Sequence, residues 1–263
     1  MKRRSEKTLV ERSRHGLESP SRLAVAAGTS TPVLLERRAV TGNLLRLKLS
    51  RPAGFDYRPG QHVKMGVPGV LRDYSLVSAP HQDHLEFFVE LFPGGRLSER
   101  LRSLATGATM ALGRAKGSLQ LDPDHITALM VATVTGIAPY LSMLRHHLHA
   151  PTARSTDERR FIILHGASYA DELGYLAELS ALAQQHPASI VYLPTLSRPE
   201  SPRNRGWSGE RGRVEALLDP VVARSRLSPQ TTAVFACGNP GMVRNVAAAF
   251  RKRGFTTYVE PFD

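Results

Sequence analysis

The chain changes its pattern of apolar and polar positions near Asp122-Pro123. Before this point, short stretches alternate apolar and polar residues and are separated by Gly, Pro, Asn and Asp, which is typical of half-buried strands. The predicted strands are Val33–Val40, Leu44–Leu49, His62–Val67, Tyr74–Ser78, Leu85–Leu91 and Ala108–Leu112. A helical period over Ser98–Leu104 predicts one short helix. Several short strands at this spacing favour an antiparallel β-barrel of the Greek-key kind.

After this point, continuous apolar runs alternate with helical periods, which predicts a parallel sheet with helices on both faces. The predicted strands are Ala128–Thr133, Phe161–His165, Ile190–Pro194, Ala233–Cys237 and Thr256–Val259, and the predicted helices are Pro139–His147, Ala170–Gln184, Arg213–Leu218 and Gly241–Lys252. The fold class is therefore a β-barrel followed by a doubly wound, Rossmann-like α/β domain. We predict a disordered basic extension over residues 1–30, the barrel domain over 31–122 and the α/β domain over 123–263.

Cysteine usage and hydropathy exclude several classes of protein. The single cysteine, Cys237, excludes an intrachain disulfide, a cysteine-ligated zinc site and an iron–sulfur cluster. No apolar run approaches the ~18–20 residues that span a bilayer. The run Leu23–Ala27 is shorter than the ~7–15 residues of a signal-peptide core. These features predict a cytoplasmic protein with no membrane span.

The formal net charge is +12, and the excess is spread over all three segments rather than gathered in one patch. A basic surface attracts anionic partners over long range, and an acidic protein qualifies as well as a nucleic acid does. Charge alone does not choose between them. His146, His147 and His149 cluster without a neighbouring carboxylate or cysteine, which favours a solvated helix end over a metal site, so we predict no metal.

Two short elements of the barrel contain residues suited to a phosphorylated ligand. In Arg72-Asp-Tyr-Ser75, placed at the start of a strand, a guanidinium can clamp a pyrophosphate and an aromatic ring can stack on a heterocycle. An ordinary polar edge strand explains this tetrapeptide equally well. In Gly94-Gly-Arg-Leu-Ser98, with Ser98 as the expected N-cap, free N–H groups and the helix dipole suit a phosphate. A plain capped helix is the commoner explanation of such an isolated match.

Two further turns follow strands of the α/β half. Val131–Pro139 spans the first strand-to-helix turn, and Cys237–Met242 contains a glycine-rich turn after a later strand. Ligands of doubly wound sheets bind at the carboxyl ends of the strands, where both turns are expected.

Taken together and in this order, the four elements resemble the ferredoxin–NADP reductase family, in particular its bacterial ferredoxin/flavodoxin reductases. The resemblance runs from about Val33 to the C-terminus. It implies FAD in the barrel, NADP(H) in the α/β domain, and electron transfer between NADPH and a one-electron carrier such as ferredoxin or flavodoxin. The positive charge adds the expectation of an acidic partner rather than a nucleic acid. A monomer is expected.

The resemblance also implies roles for individual residues. It places Arg72 on the FAD pyrophosphate, Tyr74 on the isoalloxazine, and Ser75 near the flavin edge that receives hydride. The remaining FAD contacts that it implies are Asp73, Phe88, Val89, Glu90, Arg96, Leu97, Ser98, Thr135 and Phe262.

For the nucleotide, the resemblance implies that Arg198 and Arg213 hold the 2′-phosphate that distinguishes NADPH from NADH, because arginine suits a fixed dianion. The other NADP contacts that it implies are Thr135, Ser168, Ser197, Gly238 and Met242. Its candidates for positioning nicotinamide and stabilising charge at the reacting centre are Ser75, Cys237 and Glu260.

Two departures from the family pattern bear on the nucleotide site. Val134 stands where the family has glycine, and Ser168 where it has an arginine. Since a β-branched residue is a poor occupant of positive φ, we expect Val134 in the ordinary β or α region and a weakened nucleotide site. The Val134 departure keeps open a non-catalytic flavin- or nucleotide-binding regulatory module. A reductase component of an oxygenase system is a further alternative.

Overall fold

The computed structural model describes residues 31–149 and 159–262, so the predicted extension over residues 1–30 lies outside the described residues. The first half consists of two three-stranded antiparallel sheets, with strand orders β1-β2-β5 and β4-β3-β6. Its elements are β1 (Leu34–Ala39), β2 (Leu44–Ser50), β3 (His62–Val67), β4 (Val70–Ser75), β5 (His84–Glu90), α1 (Arg96–Ser103) and β6 (Ala111–Lys116). The two sheets bury a common core that includes Leu47, Met65 and Phe87.

The second half is one six-stranded parallel sheet in the order β10-β9-β8-β7-β11-β12. Its strands are β7 (Thr127–Thr133), β8 (Arg160–Ala167), β9 (Ile190–Leu196), β10 (Glu210–Arg211), β11 (Thr232–Gly238) and β12 (Thr256–Pro261). Its helices are α2 (Ala138–His149), α3 (Leu176–Gln185), α4 (Leu218–Ser225) and α5 (Pro240–Lys252). Within the described residues, no helix is long and apolar enough to cross a membrane.

The two faces of the parallel sheet pack into separate cores, because successive side chains of a strand point to opposite faces. On β7, Met130 packs with α2 and α3 and with barrel residues such as Phe88, whereas Leu129 and Val131 pack with α4 and α5. The apolar runs predicted as buried strands are therefore buried on both faces. The predicted fold class, barrel followed by doubly wound sheet, is confirmed.

Two barrel strands differ from their predicted bounds. The strand predicted over Tyr74–Ser78 begins at Val70 and ends at Ser75, and the strand predicted over Ala108–Leu112 extends over Ala111–Lys116. For β4 the reason is the tight turn Pro68-Gly69, where Gly69 has φ +84°, which pairs Val67 directly with Val70. A two-residue hairpin connection sets the register of both strands it joins, and the weak apolar pattern of Leu71–Asp73 concealed it.

A buried ion pair joins the two halves. Arg145 on α2 donates to Glu86 on barrel strand β5 at 2.6 Å and to Glu178 on α3 at 2.7 Å. The Tyr175 hydroxyl donates to the second Glu86 oxygen at 3.0 Å. Burial opposes ionisation of Glu86, but Arg145 and Tyr175 more than offset it and hold the pKa of that carboxyl below its usual value. Beside this network, Ser142 on α2 donates to the Ser78 carbonyl at 2.6 Å.

Removing the guanidinium should weaken the joint between the halves. In Arg145→Met the Glu86 carboxylate, 6 % exposed, keeps its charge but loses its cation. Leaving a buried charge uncompensated costs roughly 3–5 kcal/mol. Urea unfolding at neutral pH measures the loss.

The matched control is Arg253→Met, since Arg253 pairs with Asp219, whose side chain is 89 % exposed. That surface pair should cost no more than ~1 kcal/mol. Equal losses in the two variants would contradict the role given to Arg145.

Candidate functional site

Two turns meet at the centre of the parallel sheet, at the carboxyl ends of β7 and β11. The strands that follow β7 in the chain, β8 to β10, lie on one side of it, and the later strands β11 and β12 lie on the other side. The strand order therefore reverses between β7 and β11, which is the topological switch point of the sheet. The Asn239 N–H donates to Thr133 Oγ1 at 2.8 Å. A Cβ at Gly136 would lie 2.2 Å from the Cys237 carbonyl oxygen, so only glycine permits this contact. The two turns predicted to hold chemistry are therefore packed on each other.

Val134, in the first of these turns, has φ +44°, in the left-handed region. The expectation of an ordinary β or α backbone at this position was wrong. Tertiary contacts decide the conformation: the Val134 side chain packs into apolar clusters on both sides of the turn, and its carbonyl lies 2.9 Å from His165 Nε2. Such strain at a β-branched residue costs on the order of 1–3 kcal/mol. The backbone here already has the conformation that glycine adopts easily.

His165 holds this strained turn from the next strand, β8. It is fully buried, and burial lowers its pKa to about 4, so the imidazole is neutral. Because a neutral ring carries one proton, Nε2–H donates to the Val134 carbonyl and Nδ1 accepts from the Tyr192 hydroxyl at 3.1 Å. Sequence analysis missed His165, because a histidine inside an apolar strand carries no sign of its partner.

Ser75 and Glu260 come together from opposite halves of the chain. Ser75, the last residue of β4, donates its hydroxyl proton to Glu260 Oε1 at 2.8 Å. Glu260 lies on β12, directly across from Cys237 on β11. All three predicted reacting-centre residues are thus joined through two neighbouring strands and one hydrogen bond. Sequence analysis missed His62, whose Nδ1 lies 3.3 Å from Glu260 Oε2.

Cys237 is completely buried, and burial, together with the charge of Glu260, raises the pKa of its thiol well above the usual value. It therefore remains a neutral thiol and does not form the nucleophilic thiolate. Its contribution to the site is packing and polarisability rather than charge.

The Arg72–Ser75 tetrapeptide lies at the end of β4, not at the start of a strand as predicted, because of the Pro68-Gly69 turn. The Arg72 guanidinium is exposed and donates to the Leu71 carbonyl at 2.8 Å. Tyr74 is half-buried, and burial raises its pKa to about 12, so its hydroxyl stays protonated. Asp73 forms an exposed ion pair with Lys64 at 3.0 Å.

The N-terminus of α1 has no side-chain cap. The N-cap residue is Gly95, and Ser98, predicted as the cap, instead accepts the Phe92 N–H on its hydroxyl at 2.9 Å. The first-turn N–H groups of Arg96 and Leu97 are therefore not capped by a side chain, which is the arrangement that suits an anion.

Three residues predicted to contact a cofactor have buried side chains. Phe88 packs edge-on against Tyr175, and Val89 and Leu97 lie in the barrel core. The strand β5 is an edge strand, so alternate backbone groups of Phe88–Glu90 point away from β2. Only the backbone of these positions is open to a ligand. Burial, with the nearby Glu172, raises the pKa of Glu90.

The predicted arginines follow neighbouring strands. Leu196 on β9 pairs with Arg211 on β10, and Arg198 and Arg213 each come two residues later. Both are exposed, and Arg198 donates to the Tyr169 hydroxyl at 2.9 Å. The sheet therefore places Arg198 and Arg213, which are 15 positions apart in the chain, just after the ends of two adjacent strands.

Buried Asn204 holds the Arg198 loop against the turn after β8. Its amide donates to the carbonyls of Ser168 at 2.9 Å and Arg198 at 2.7 Å, and its oxygen accepts the Ala170 N–H. On the same turn, the Arg203 guanidinium lies 4.0 Å from the centre of the Tyr169 ring. Sequence analysis missed these residues, because a loop sequence does not show which element it packs on.

The other predicted residues fall into two groups. Thr135, Gly238 and Phe262 lie at the switch point, where the Phe262 N–H donates to the Gly238 carbonyl at 2.9 Å. Met242 instead packs into the core on the opposite face of the sheet, and its N–H is capped by Asn239. Ser197 and Ser168 flank the Arg198 loop, where the Ser197 N–H donates to the Ala167 carbonyl. In the described part of the chain, no group of three or more His, Cys, Asp or Glu is arranged to hold a metal ion.

Comparison with known proteins finds a match to two family models. A family model described as the oxidoreductase FAD-binding domain matches residues 33–121, and one described as the oxidoreductase NAD-binding domain matches residues 130–248. A ferredoxin–NADP reductase A of Sorangium cellulosum is 33% identical over 87% of this chain and 84% of its own. The crystal structure of a ferredoxin NADP+ reductase from Neisseria gonorrhoeae with bound FAD and NADP is 26% identical, with a TM-score of 0.74 over 89% of this chain and 99% of that chain.

A second kind of relative is a reductase component of an oxygenase. The propane 2-monooxygenase reductase component of Mycolicibacterium goodii is 31% identical over 76% of this chain, but the match covers only 56% of that relative.

The neutral state of His165 predicts a pH dependence of stability. Its pKa of about 4 lies below the value of about 6.5 in an unfolded chain. The unfolded state therefore binds the extra proton between these pH values, and stability falls as pH falls from about 6.5 to 4. The linked loss is on the order of 3 kcal/mol. Urea unfolding at pH 7 and pH 4.5 measures it.

The variant His165→Gln should be less stable at pH 7 but should lose less stability between pH 7 and pH 4.5 than the wild type does. Wild-type and variant curves with the same slope over this range would show that His165 is not the group responsible.

Proposed function

Because this chain belongs to the ferredoxin–NADP reductase family, we propose that it transfers electrons between NADPH and a ferredoxin or flavodoxin through bound FAD. The observation that carries the proposal is the Ser75–Glu260 hydrogen bond. It joins the barrel to the last strand of the α/β domain beside the switch point. A cofactor on the barrel and a nucleotide on the sheet then meet at one place, as hydride transfer requires.

Several residues present fit FAD. The exposed Arg72 guanidinium and the uncapped N-terminus of α1 offer two anion-binding groups, which suits a dinucleotide rather than a mononucleotide. We propose that Tyr74 stacks on the isoalloxazine and that Phe262 covers its other face. Thr135 would lie beside flavin and nicotinamide, and Asp73, Phe88–Glu90, Arg96, Leu97 and Ser98 would line the rest, mostly through the backbone.

When bound, FAD supplies the exchange between two-electron and one-electron transfer. The protein positions the reactants and controls protons. Ser75 presents a hydroxyl whose hydrogen bond to Glu260 fixes its orientation. Buried Cys237 gives a neutral, polarisable surface for nicotinamide. The packed turns at Thr133–Gly136 exclude water from the switch point.

For the nucleotide we propose Arg198 and Arg213 as the ligands of the 2′-phosphate, with Ser197, Ser168 and Gly238 beside them. The packing of Met242 leaves it no side-chain role there. Arg203, stacked on Tyr169 next to Ser168, is our candidate for a third cation. Its bidentate pairing with Asp171 already neutralises part of its charge.

The electron carrier that we propose is acidic, because the basic excess extends over both folded halves. The cytoplasmic location and the monomeric state stay predictions. A reductase component of an oxygenase is the second candidate, favoured by the propane 2-monooxygenase relative.

The test has two electron acceptors. The purified protein should be yellow, release FAD rather than FMN in acid, and reduce ferricyanide with NADPH. Electron transfer to an acidic ferredoxin should slow steeply as salt rises above ~0.15 M, where exposed charges are screened beyond ~8 Å. Ferricyanide reduction in the same salt series is the control, because it reports the effect of salt on the reaction with NADPH without a protein acceptor.

Absence of NADPH-dependent ferricyanide reduction in FAD-loaded protein would favour the non-catalytic regulatory alternative. Ferredoxin reduction that is flat with salt would overturn the acidic docking partner alone.

Removing Arg198 should raise KM for NADPH and leave KM for NADH nearly unchanged. A charge-assisted hydrogen bond contributes about 1.5–3 kcal/mol, which corresponds to roughly a tenfold to hundredfold rise. Steady-state kinetics of Arg198→Ala with both nucleotides measures it, and Arg203→Ala should have a smaller effect.

The matched control is Arg224→Ala, in the last turn of α4. It should change neither constant. Equal losses with NADPH and NADH in Arg198→Ala would mean that the arginine is structural.

Replacing Val134 should improve nucleotide binding. Since the backbone already has positive φ, Val134→Gly removes both the strain and the methyl groups that crowd the turn, and KM for NADPH should fall severalfold without a comparable change in FAD affinity. Val134→Ala separates the causes, because it removes the methyl groups but keeps most of the backbone penalty. A KM that is unchanged or higher in Val134→Gly would contradict the steric argument.

A further inference from the structure

His62 and Ser75 contact the same carboxylate, that of Glu260, from neighbouring barrel strands. They face each other across β3 and β4 in the antiparallel register. Ser75 Oγ lies 2.8 Å from one Glu260 oxygen, and His62 Nδ1 lies 3.3 Å from the other. The Ser75 side is buried, whereas the His62 side chain is 25% exposed. Contacts between Ser75, Glu260 and His62 thus lead from the buried Ser75 hydroxyl to the partly exposed His62 imidazole.

The backbone is adapted to this imidazole. Gly117, directly after β6, has φ +101°, and a Cβ there would lie 2.9 Å from His62 Nδ1 and 3.5 Å from Glu260 Oε2. A side chain at 117 would therefore displace the ring from the carboxylate. Glycine is required at this position both by conformation and by space.

We propose that His62 is a positioning residue for Glu260 and passes the proton of the reaction between Glu260 and solvent. This inference rests on the proposed function. Oxidation of one NADPH by two one-electron carriers yields NADP+, two reduced carriers and one proton. That proton has to leave from a centre beside Ser75, which is buried.

The proton path can be written atom by atom. Ser75 Oγ gains a proton from the reacting centre as its own proton moves to Glu260 Oε1. This converts the Glu260 carboxylate to a carboxyl, and rotation of the carboxyl group turns the protonated oxygen towards Nδ1 of neutral His62, which takes the proton and restores the carboxylate. The imidazolium then loses a proton from Nε2 to water, and the neutral ring regains its first tautomer by exchanging protons with solvent. In the reverse reaction the same groups carry one proton inward. No group changes its charge over a full cycle.

The charges around His62 suit this exchange. The Glu260 hydrogen bond raises the pKa of His62, burial opposes it, and the charges of Glu260 and Asp73 raise it further while Lys116 lowers it. Asp73 on β4 is itself paired with Lys64 on β3. The pKa of His62 is therefore raised above the ordinary histidine value, chiefly by its hydrogen bond to Glu260.

The first measurement needs no turnover. Two-dimensional NMR of the imidazoles in oxidised, FAD-loaded protein, with His62 assigned through His62→Gln, should give a His62 pKa above the ordinary value. Glu260→Gln should lower it. His84 is the matched control, because it pairs with Asp83 on the barrel surface and its side chain is 21% exposed. Glu260→Gln should leave the imidazole resonances of His84 unchanged.

The second measurement is the pH profile of kcat for NADPH–ferricyanide reduction. In the wild type, kcat should rise through the His62 pKa, because only the neutral ring accepts a proton from Glu260. His62→Gln keeps a hydrogen-bond donor but cannot titrate, so this limb should disappear and kcat above that pKa should fall roughly tenfold, less than the 10²–10⁴ of a direct acid–base group. His62→Leu should also raise KM, and His84→Gln should match the wild type.

Two results would overturn the inference: a His62 pKa that Glu260→Gln does not move, or a His62→Gln profile that superimposes on that of the wild type. If the wild type lacks NADPH activity but His62 titrates as expected, the proposed function is contradicted and the His62–Glu260 coupling is still supported.

Discussion

The ion pair between Arg145 and Glu86 is the interaction on which the site depends. Glu86 is on a barrel strand and Arg145 on the first helix of the sheet domain, and Tyr175 and Glu178 complete the network. Glu86 and Arg145 are buried enough to be costly alone, so their pairing is stable only when the two halves are docked. Docking in turn sets the distance between Ser75 and Glu260, which belong to different halves and lie 185 positions apart.

The switch point shows what rigid docking makes possible. A valine at positive φ is held by the Val134 carbonyl contact to His165 and by packing on two sides. The same tightness brings the Gly136 turn against Cys237 and leaves no room for another residue. Strain at a site persists only where the surroundings over-determine the backbone. The positive φ of Val134 is therefore a property of the packed turn.

The charges of the site are arranged in two separate places. At the switch point the groups are mostly neutral: the Cys237 thiol and His165 are uncharged, and Glu260 is the one carboxylate in contact with Ser75. At the far end of the sheet the Arg198 loop is exposed and strongly basic. Neutral surroundings suit transfer between two uncharged ring systems, and the basic end suits phosphate.

The sequence alone determined the fold class, because the change from strand alternation to strand–helix alternation is a local property of side-chain periodicity. It also identified Ser75, Cys237, Glu260, Arg198 and Arg213 as residue types in a recognisable order. The extent of β4 was predicted less well, since a two-residue turn rather than an apolar pattern defines its start.

Only the tertiary structure decided which of these residues meet, and through which atoms. His62 joins Glu260 because strand pairing places it opposite Ser75, and Asn204 holds the Arg198 loop through three hydrogen bonds to distant backbone groups. Packing between elements also decides the φ of Val134, the burial of Met242 on the opposite face of the sheet and the burial of Phe88. These are contacts between residues far apart in the chain, and local periodicity contains no information about them.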